Sequence, residues 1–207
     1  MEKEPVKSVS IIVPVYNGGT IFPKCAKSLE AFDYPTEKLE IILVDDGSDD
    51  GTMDWLTEQE FPSHFTIISH GENMGRAVAR NSGILDAQGD ILIFLDSDMV
   101  VNPDFVSAHV QAIQPDEIKA VTGKMIAPST LPDTRLRKYL FHYKQRGARQ
   151  FGENNSIPFQ YLLTGNLSVK KEIIDEVGNF DESFSGYGGE DTLFAYKIWK
   201  KYPDGLR

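Results

Sequence analysis

Four short apolar runs in the first half of the chain alternate with helical patterns, and this alternation restricts the fold more than any other feature. The runs are Val9 to Val15, Leu39 to Val44, Phe65 to Ser69 and Ile91 to Leu95. Each is too short for a typical helix and suits a buried strand. Strands that are apolar on both faces are typical of parallel sheets with helices on either side. The sequence therefore predicts an α/β fold with a central, mostly parallel sheet.

Helix signals fill the gaps between these runs, and the second half of the chain is less regular. Helices are predicted from Thr20 to about Phe32, from Thr52, from Gly75 to Ala87 with Gly89 as its C-terminal cap, from Asn102-Pro103, and from Asp191 to Tyr202. Further strands are predicted over Lys119 to Ile126 and Tyr161 to Val169. Small residues recur every four positions from Gly75 to Ala87, which indicates close packing of that helix against a neighbour.

Size and charge limit the class of protein. A chain of 207 residues suits one domain, with a ligand-binding half over 1–100 and a second half over 101–207. The formal net charge of −10 argues against nucleic acid as a partner. Cys25 is the single cysteine, and the N-terminus is charged, so we expect a cytoplasmic protein. The chain stops just after its last predicted helix, and we expect a C-terminal truncation.

A basic, aromatic stretch interrupts this acidic chain between residues 135 and 149. Leu136, Tyr139, Leu140 and Tyr143 would share one face of a helix. Two interpretations stay open. The stretch is either a surface helix with a solvated basic face, or a contact for an anionic acceptor or a lipid headgroup surface. The second interpretation would place the protein at the periphery of a membrane.

Polar residues follow each of the four predicted strands of the first half. The clusters are Pro14-Val15-Tyr16-Asn17, Asp45 to Thr52, Glu72-Asn73-Met74-Gly75-Arg76 and Asp96-Ser97-Asp98. Ligands of open parallel sheets bind at the carboxyl ends of the strands, where the strand order reverses. Any one cluster is explained by a turn or a helix cap. Four at one edge predict a binding site.

The residue types at this edge suit a nucleotide diphosphate bound with a metal. Asp45 can accept the imide N–H of a uracil ring, and Tyr16 offers a face for stacking. Arg76 can reach a base carbonyl or a phosphate. Asp96 and Asp98 can hold Mg²⁺ or Mn²⁺, which prefer oxygen ligands and bridge to phosphate. Two other phosphate-binding devices, the P-loop and the dinucleotide-binding glycine motif, are absent from the sequence.

A second acidic pair, Glu190-Asp191, opens the last predicted helix after Gly188-Gly189. Acids at a helix N-terminus are stabilised by the helix dipole, which is a structural explanation. The functional explanation is a general base, since adjacent carboxylates raise each other's pKa. Both explanations stay open on the residues alone.

Taken together, these motifs resemble the family 2 glycosyltransferases of the GT-A fold. They occur in the order Pro14-Val15-Tyr16-Asn17, Val44-Asp45-Asp46-Gly47-Ser48, Asn73-Met74-Gly75 with Ala79-Arg80-Asn81, Leu95-Asp96-Ser97-Asp98 and Gly188-Gly189-Glu190-Asp191. Gly-Tyr-Gly-Gly-Glu-Asp looks closest to bacterial chondroitin-polymerase-like modules. The resemblance implies an inverting glycosyltransferase that moves a hexosyl or N-acetylhexosaminyl group from a nucleotide sugar, most often a UDP-sugar, to a hydroxyl of a glycan or lipid-linked acceptor.

The resemblance also implies roles for particular residues. Asp191 matches the catalytic base, with Glu190 beside it contacting the acceptor, and Asp98 matches the metal ligand, with Asp96 at the ribose or the metal. The predicted substrate-binding residues are Pro14, Tyr16, Asp45, Asp46, Asn73, Arg76, Asp96, Ser97, Gly165, Asn166 and Gly189. The expected cofactor is Mn²⁺ or Mg²⁺, and the resemblance sets no oligomeric state.

Two departures separate the chain from parts of that family. The Gln-x-x-Arg-Trp motif of processive synthases is absent, and no histidine after His142 is present to complete a metal site. The alternative to an enzyme is a degenerate domain that binds nucleotide or glycan without catalysis. A sugar nucleotidylyltransferase would need a glycine-rich, arginine-containing first loop, which this sequence lacks.

Overall fold

A mixed sheet forms the centre of the structure, a computed structural model that describes residues 6–128, 132–142, 147–152, 155–184 and 188–207. Its strands are β1 (Val9–Val15), β2 (Leu39–Asp45), β3 (Phe65–Ser69), β4 (Ile91–Leu95), β5 (Ala120–Thr122) and β6 (Asn166–Lys170). The strand order is β3-β2-β1-β4-β6-β5. Strands β1 to β4 run parallel, whereas β6 runs antiparallel to both β4 and β5. The predicted α/β fold with a mostly parallel mixed sheet is confirmed.

Helices cover both faces of this sheet. They are α1 (Phe22–Ser28), α2 (Thr52–Glu58), α3 (Arg76–Asp86), α4 (Phe105–Ile113), α5 (Arg135–Arg137), α6 (Lys171–Val177) and α7 (Glu190–Lys201). Short 3₁₀ turns lie at Thr36–Lys38, Gly147–Phe151 and Phe159–Tyr161, and a π-helical turn lies at Lys138–His142. Buried side chains of α1, α2 and α4 form one core layer, and those of α3, α6 and α7 form the other.

The alternation of side chains along each strand explains the two layers. Ile11 and Ile93 point into the layer under α1, α2 and α4, while Ile12 and Phe94 point into the layer under α3, α6 and α7. All four are fully buried. Strands buried on both faces must be apolar throughout, and this produces the continuous apolar runs in the sequence.

The small residues of α3 make the close contact that their spacing predicts. A Cβ added at Gly83 would lie 2.4 Å from Cγ2 of Ile12 in β1, and Ala79 is fully buried. Gly89 has a different role from the predicted one, because α3 is capped at Ala87. The Gly89 N–H donates to Ser10 Oγ at 2.8 Å, and a Cβ at Gly89 would lie 2.5 Å from the Ser10 nitrogen.

Element boundaries in the second half differ from the sequence prediction. Strand β5 is shorter than residues 119–126, and β6 begins at Asn166 because residues 159–161 form a 3₁₀ turn after Pro158. Helix α4 begins at Phe105, two residues later than predicted, since the Pro103 carbonyl accepts a hydrogen bond from the Asp33 N–H.

The basic stretch is helical where the structure describes it, over α5 and the π turn that follows. Leu136 and Tyr139 are 63% and 54% exposed, so these two side chains of the face lie largely in solvent. Residue 143 and its neighbours to 146 lie outside the described residues, as does the Leu140 side chain. Across the described ranges, none of the helices combines the length and the apolar character that crossing a membrane requires.

Candidate active site at the carboxyl edge of the sheet

The loops that follow β1 and β2 are hydrogen-bonded to each other. The Asn17 N–H donates to Ser48 Oγ at 2.9 Å, and the Asp49 N–H donates to Asn17 Oδ1 at 3.0 Å. Asn17 has a φ of 51°, a left-handed conformation that asparagine tolerates. The interlocked loops hold Tyr16, whose side chain is 47% exposed, at the end of β1.

Asp45 ends β2 and has one unsatisfied oxygen. The residue is 1% exposed, and its Oδ2 accepts a hydrogen bond from the Ser48 N–H at 3.2 Å. Its Oδ1 is buried and has no hydrogen-bond partner among the described residues. A buried carboxylate oxygen without a donor is costly, so a ligand N–H at this point would be stabilised. This geometry fits the predicted contact with a uracil imide.

Asp46 is occupied by groups of the protein itself. Its Oδ1 accepts from the Met74 N–H at 3.0 Å and lies 2.8 Å from His70 Nδ1, while Oδ2 accepts from the Gly75 N–H at 2.8 Å. These bonds fix the loop that leads into α3. The structure thus gives Asp46 a positioning role, and its direct contact with substrate stays a prediction.

Gly47 allows the loop after β2 to approach the loop after β3 closely. Its φ is 73°, and a Cβ there would lie 2.4 Å from the carbonyl carbon of Glu72. Asn73, the next residue of the neighbouring loop, is exposed at this edge. Pro14 lies within β1 and pairs with Val44, so its ring helps to shape the strand end that carries Tyr16.

Asp96 and Asp98 follow β4 in a turn closed by a hydrogen bond from the Met99 N–H to the Asp96 carbonyl at 3.1 Å. Asp98 is exposed, while Asp96 and Ser97 are partly buried. Burial raises the pKa of the Asp96 carboxyl, and the positive charge of Arg80 opposes this shift. The Asp96 N–H donates to the Gly165 carbonyl at 3.0 Å, which brings these two predicted residues together.

Arg80 connects the end of β4 to the beginning of α7. It is 4% exposed, and its Nη2 and Nη1 donate to Asp96 Oδ1 at 3.4 Å and to Glu190 Oε1 at 3.1 Å. Arg76 Nε lies 3.5 Å from the same oxygen of Glu190. The two acidic motifs, which are far apart in sequence, therefore lie on either side of one guanidinium group.

Two glycines directly precede the acidic pair at the start of α7. Gly188 and Gly189 have φ angles of 86° and 105°, which glycine adopts most readily. Glu190 is 2% exposed and turned inward, whereas Asp191 is more exposed and accepts a hydrogen bond from the Thr192 N–H at 2.7 Å. Asp191 is thus the member of the pair that a bound molecule can reach.

Asn166 points away from this cluster. Its Oδ1 accepts a hydrogen bond from His109 Nε2 at 2.8 Å, on the opposite side of the sheet, and His109 Nδ1 lies 2.9 Å from Ser168 Oγ. Burial lowers the pKa of His109 from 6.5 to about 4, so the ring is neutral near pH 7. A contact between the Asn166 side chain and a substrate stays a prediction.

The turn after β4 suits a divalent cation that is completed by substrate oxygens. Asp98 is exposed, so its carboxylate is accessible from solvent. Within the described part of the chain, no three His, Cys, Asp or Glu side chains are grouped as metal ligands. Burial and the nearby charges of Asp98 and Asp96 raise the pKa of Cys25 to about 12, so its sulfur stays protonated and is a poor ligand. The ligand types present, carboxylates with room for phosphate and water, fit Mg²⁺ or Mn²⁺.

Arg80 and Asn81 belong to a motif of the family resemblance, but the sequence alone assigned them no role in the site. Asn81 is 5% exposed; its Nδ2 donates to the Phe180 carbonyl and its Oδ1 accepts from the Phe180 N–H, both at 3.0 Å. The available signal was a charged and an amide side chain directly beside the small-residue face of α3. Such residues are seldom buried unless they are paired.

Comparison with known proteins shows the family of this chain. Residues 10–177 match the sequence profile of Glycosyl transferase family 2, and the chain therefore belongs to that family. An uncharacterised glycosyltransferase, YfnE of Bacillus subtilis, is 29% identical over 91% of this chain and 59% of its own length. The chondroitin synthase of Escherichia coli is 24% identical over 95% of this chain and 33% of its own. The chain spans between a third and about three fifths of the length of these relatives.

Solved structures share the fold. TarS 1–349 of S. aureus in complex with UDP superimposes with a TM-score of 0.74 at 21% identity, over 96% of this chain and 56% of that one. The mannosyltransferase PcManGT of Pyrobaculum calidifontis, in complex with GDP-Man and Mn²⁺, has a TM-score of 0.72 at 22% identity, over 98% and 55%. The predicted GT-A fold is confirmed.

Proposed function

We propose that this chain is the donor-binding and catalytic part of an inverting, metal-dependent glycosyltransferase. It transfers a sugar from a UDP-sugar to a hydroxyl of a glycan or lipid-linked acceptor in the assembly of a polysaccharide or glycolipid. The observation that carries the proposal is the convergence of Asp96 and Glu190-Asp191 around Arg80 at the carboxyl edge of the sheet. Family membership and the nucleotide-bound structures with the same fold support it.

The nucleotide binds at the ends of β1 and β2 in this proposal. The unpartnered Oδ1 of Asp45 accepts the N3–H of uracil, and the exposed ring of Tyr16 stacks on the base. The half-exposed Arg76 reaches toward a base carbonyl or phosphate from the start of α3. Asn73, Ser97 and Gly165 line the remaining path toward the diphosphate and the sugar.

Asp98, assisted by Asp96, would hold the metal. Bound Mn²⁺ or Mg²⁺ would neutralise the negative charge that develops on the departing diphosphate. The acceptor oxygen attacks C1 of the sugar while the bond from C1 to the diphosphate oxygen breaks, and UDP leaves with that electron pair. Asp191 takes the proton of the acceptor hydroxyl, and the attack from the opposite side inverts the anomeric centre.

Release of UDP is the direct test of activity. Incubating the protein with UDP-sugars and Mn²⁺ should release free UDP, faster when a hydroxyl acceptor is added. Binding of UDP without its release from any donor would favour the degenerate binding domain. Release of UTP in the presence of pyrophosphate would instead favour a nucleotidylyltransferase.

The role of Asp191 is tested by the isosteric change Asp191→Asn. The variant should lose transfer while UDP affinity stays within about threefold, because the amide cannot take a proton during attack. Calorimetry with UDP and a coupled assay for transfer measure the two quantities. Retained turnover would refute the assignment of the base.

The metal role of Asp98 is tested by Asp98→Ala. The variant should bind UDP more weakly than the unchanged protein when Mn²⁺ is present, and equally well in EDTA, because only the metal-bridged contact is lost. An equal loss of affinity under both conditions would remove Asp98 from the metal site.

The basic stretch offers a surface for an anionic membrane in this proposal, which would place the protein at the cytoplasmic face. Exposed Leu136 and Tyr139 lie among Arg135, Arg137 and Lys138 within an otherwise acidic chain. Sedimentation with vesicles containing phosphatidylserine should recover the protein, and Leu136→Ser with Arg137→Gln should abolish recovery. Equal recovery with uncharged phosphatidylcholine vesicles would contradict an electrostatic contact.

A further inference from the structure

Arg80 is a buried cation that serves two carboxylates from different parts of the chain. Its Nη1 donates to Glu190 Oε1 at 3.1 Å, and its Nη2 donates to Asp96 Oδ1 at 3.4 Å. Asp96 ends β4, and Glu190 is the first residue of α7. The planar fork of arginine allows one side chain to make both contacts at once, which a lysine ammonium cannot reproduce with the same geometry.

The buried negative charge of Glu190 is stabilised by this arginine. The residue is 2% exposed, so water cannot solvate its carboxylate, and removing the partner of a buried charge is strongly unfavourable. The other nearby cation, Arg76, has a side chain that is 43% exposed and lies 3.5 Å from Glu190 Oε1. A residue this buried and already paired is poorly placed to contact an acceptor.

The surroundings of Arg80 hold it in place. Its guanidinium carbon lies 5.6 Å from the centre of the Phe180 ring, and Asn81 fixes both backbone polar groups of Phe180. Its Nε is buried and has no hydrogen-bond partner among the described residues, so the hydrogen bonds that the structure describes for this side chain are those to the two carboxylates.

We propose that Arg80 is a positioning residue that couples occupancy of the donor site to the N-terminal turn of α7. A metal-bound diphosphate at Asp96 and Asp98 would alter the electrostatic interaction between the Asp96 carboxylate and the Arg80 guanidinium. Because the same guanidinium binds Glu190, the interaction between Arg80 and Glu190 would change with it. Glu190 is then the internal counter-ion that positions α7, and its neighbour Asp191 is brought to the acceptor. This inference rests on the proposed function, and it replaces the acceptor contact that the family resemblance implies for Glu190.

Hydrogen exchange provides a readout other than activity. Adding UDP and Mn²⁺ to the unchanged protein should slow amide exchange in a peptide over 189–199 by at least about fivefold, the lower end of typical coupling between two sites. Arg80→Lys keeps the positive charge and loses the fork, so it should bind UDP with Mn²⁺ within about threefold and lose this protection. Glu190→Gln should lose the protection in the same way.

The control is Lys200→Gln, which removes one positive charge from an exposed position on the same helix. It should retain both UDP binding and protection. Full protection in Arg80→Lys, at unchanged UDP affinity, would overturn the inference, as would a Glu190→Gln variant that is protected but has a raised acceptor KM. Failure of the unchanged protein to bind UDP with Mn²⁺ would instead count against the proposed function.

Steady-state kinetics separates positioning from a general loss of folding. Arg80→Lys should lower kcat with little change in the KM for the donor, because the donor contacts stay while the alignment of Asp191 is lost. A Tm within a few degrees of the unchanged protein shows that the variant is folded. A raised donor KM at unchanged kcat would assign Arg80 to donor binding and overturn the inference.

Discussion

Asp96 lies against the backbone of Gly165, with no space for a side chain between them. A Cβ added at Gly165 would lie 2.5 Å from Asp96 Oδ2, and the Gly165 carbonyl accepts the Asp96 N–H at 3.0 Å. Gly165 immediately precedes β6, which pairs with β4. The antiparallel pairing of the last strand therefore sets the position of a carboxylate at the end of a parallel one.

We expect Gly165→Ala to displace the Asp96 carboxylate and to slow sugar transfer by about a hundredfold, as displacements of about 1 Å at a reacting centre do. Donor turnover with Mn²⁺ measures this effect. The matched control is Gly71→Ala, since a Cβ at Gly71 meets nothing within 4 Å. Normal turnover in Gly165→Ala would show that Asp96 tolerates displacement and is not part of the site.

Gly83→Ala tests the packing of α3 on β1. The added methyl group would meet Ile12 Cγ2 at 2.4 Å, so we expect a loss of about 1–3 kcal/mol in the free energy of unfolding. Urea denaturation measures the loss. Ile12→Ala removes the side-chain atoms that the new methyl group would meet. The double variant should therefore lose less free energy of unfolding than the sum of the losses in the two single variants. Strict additivity would contradict a direct collision.

Strands β1, β3 and β4 agree with their predicted bounds. Strands β1 and β4 are buried and leave a continuous apolar signal. Strand β3 lies at the edge of the sheet and is only partly buried, and the polar loops on either side of it mark its bounds. The strand bounds in the second half of the chain were predicted less accurately. Its strands β5 and β6 lie at the other end of the sheet, and their bounds depend on pairing between distant segments. The strand predicted from Tyr161 also begins later, because Tyr161 closes a 3₁₀ turn and β6 starts only at Asn166.

The gathering of polar loop residues at one edge of the sheet could be predicted, because strand order forces them there. The hydrogen-bonding partners of those residues could not be predicted. Asp46 and Asp45 are adjacent in sequence, yet both oxygens of Asp46 accept hydrogen bonds from a neighbouring loop, while Oδ1 of Asp45 has no hydrogen-bond partner among the described residues. Likewise, Glu190 is buried beside a more exposed Asp191 and pairs with Arg80, which lies 110 positions earlier in the chain, so the local sequence could not predict the contact.

Asn81→Ala should destabilise the segment that leads to α7. The change leaves the N–H and C=O of Phe180 without their partners, and each unsatisfied buried group costs about 1–3 kcal/mol. Leu85→Ala is the control, since Leu85 lies on the same helix and is 81% exposed. Thermal unfolding compares the two variants. A Tm for Asn81→Ala equal to that of the control would mean that water satisfies Phe180.

His109 should make the stability of the protein depend on pH over a defined range. Burial lowers the pKa of its ring to about 4 in the folded protein, against 6.5 in an unfolded chain. The unfolded chain therefore binds a proton at a higher pH than the folded protein does, and stability falls as the pH drops from about 6.5 to about 4. Below about pH 4 the ring is protonated in both states, so His109 no longer makes the free energy of unfolding depend on pH. The full effect is about 3 kcal/mol, from 1.36 kcal/mol per pKa unit.

Carboxylates titrate at the acidic end of the same range, so the contribution of His109 is isolated by difference. His109→Gln removes the titrating ring and keeps groups that can hydrogen-bond to Ser168 and Asn166. Urea denaturation at several values from pH 7 to pH 4.5 should show a shallower decline in the free energy of unfolding for the variant than for the unchanged protein. Parallel curves would mean that the ring is protonated in the folded protein or is solvated when charged.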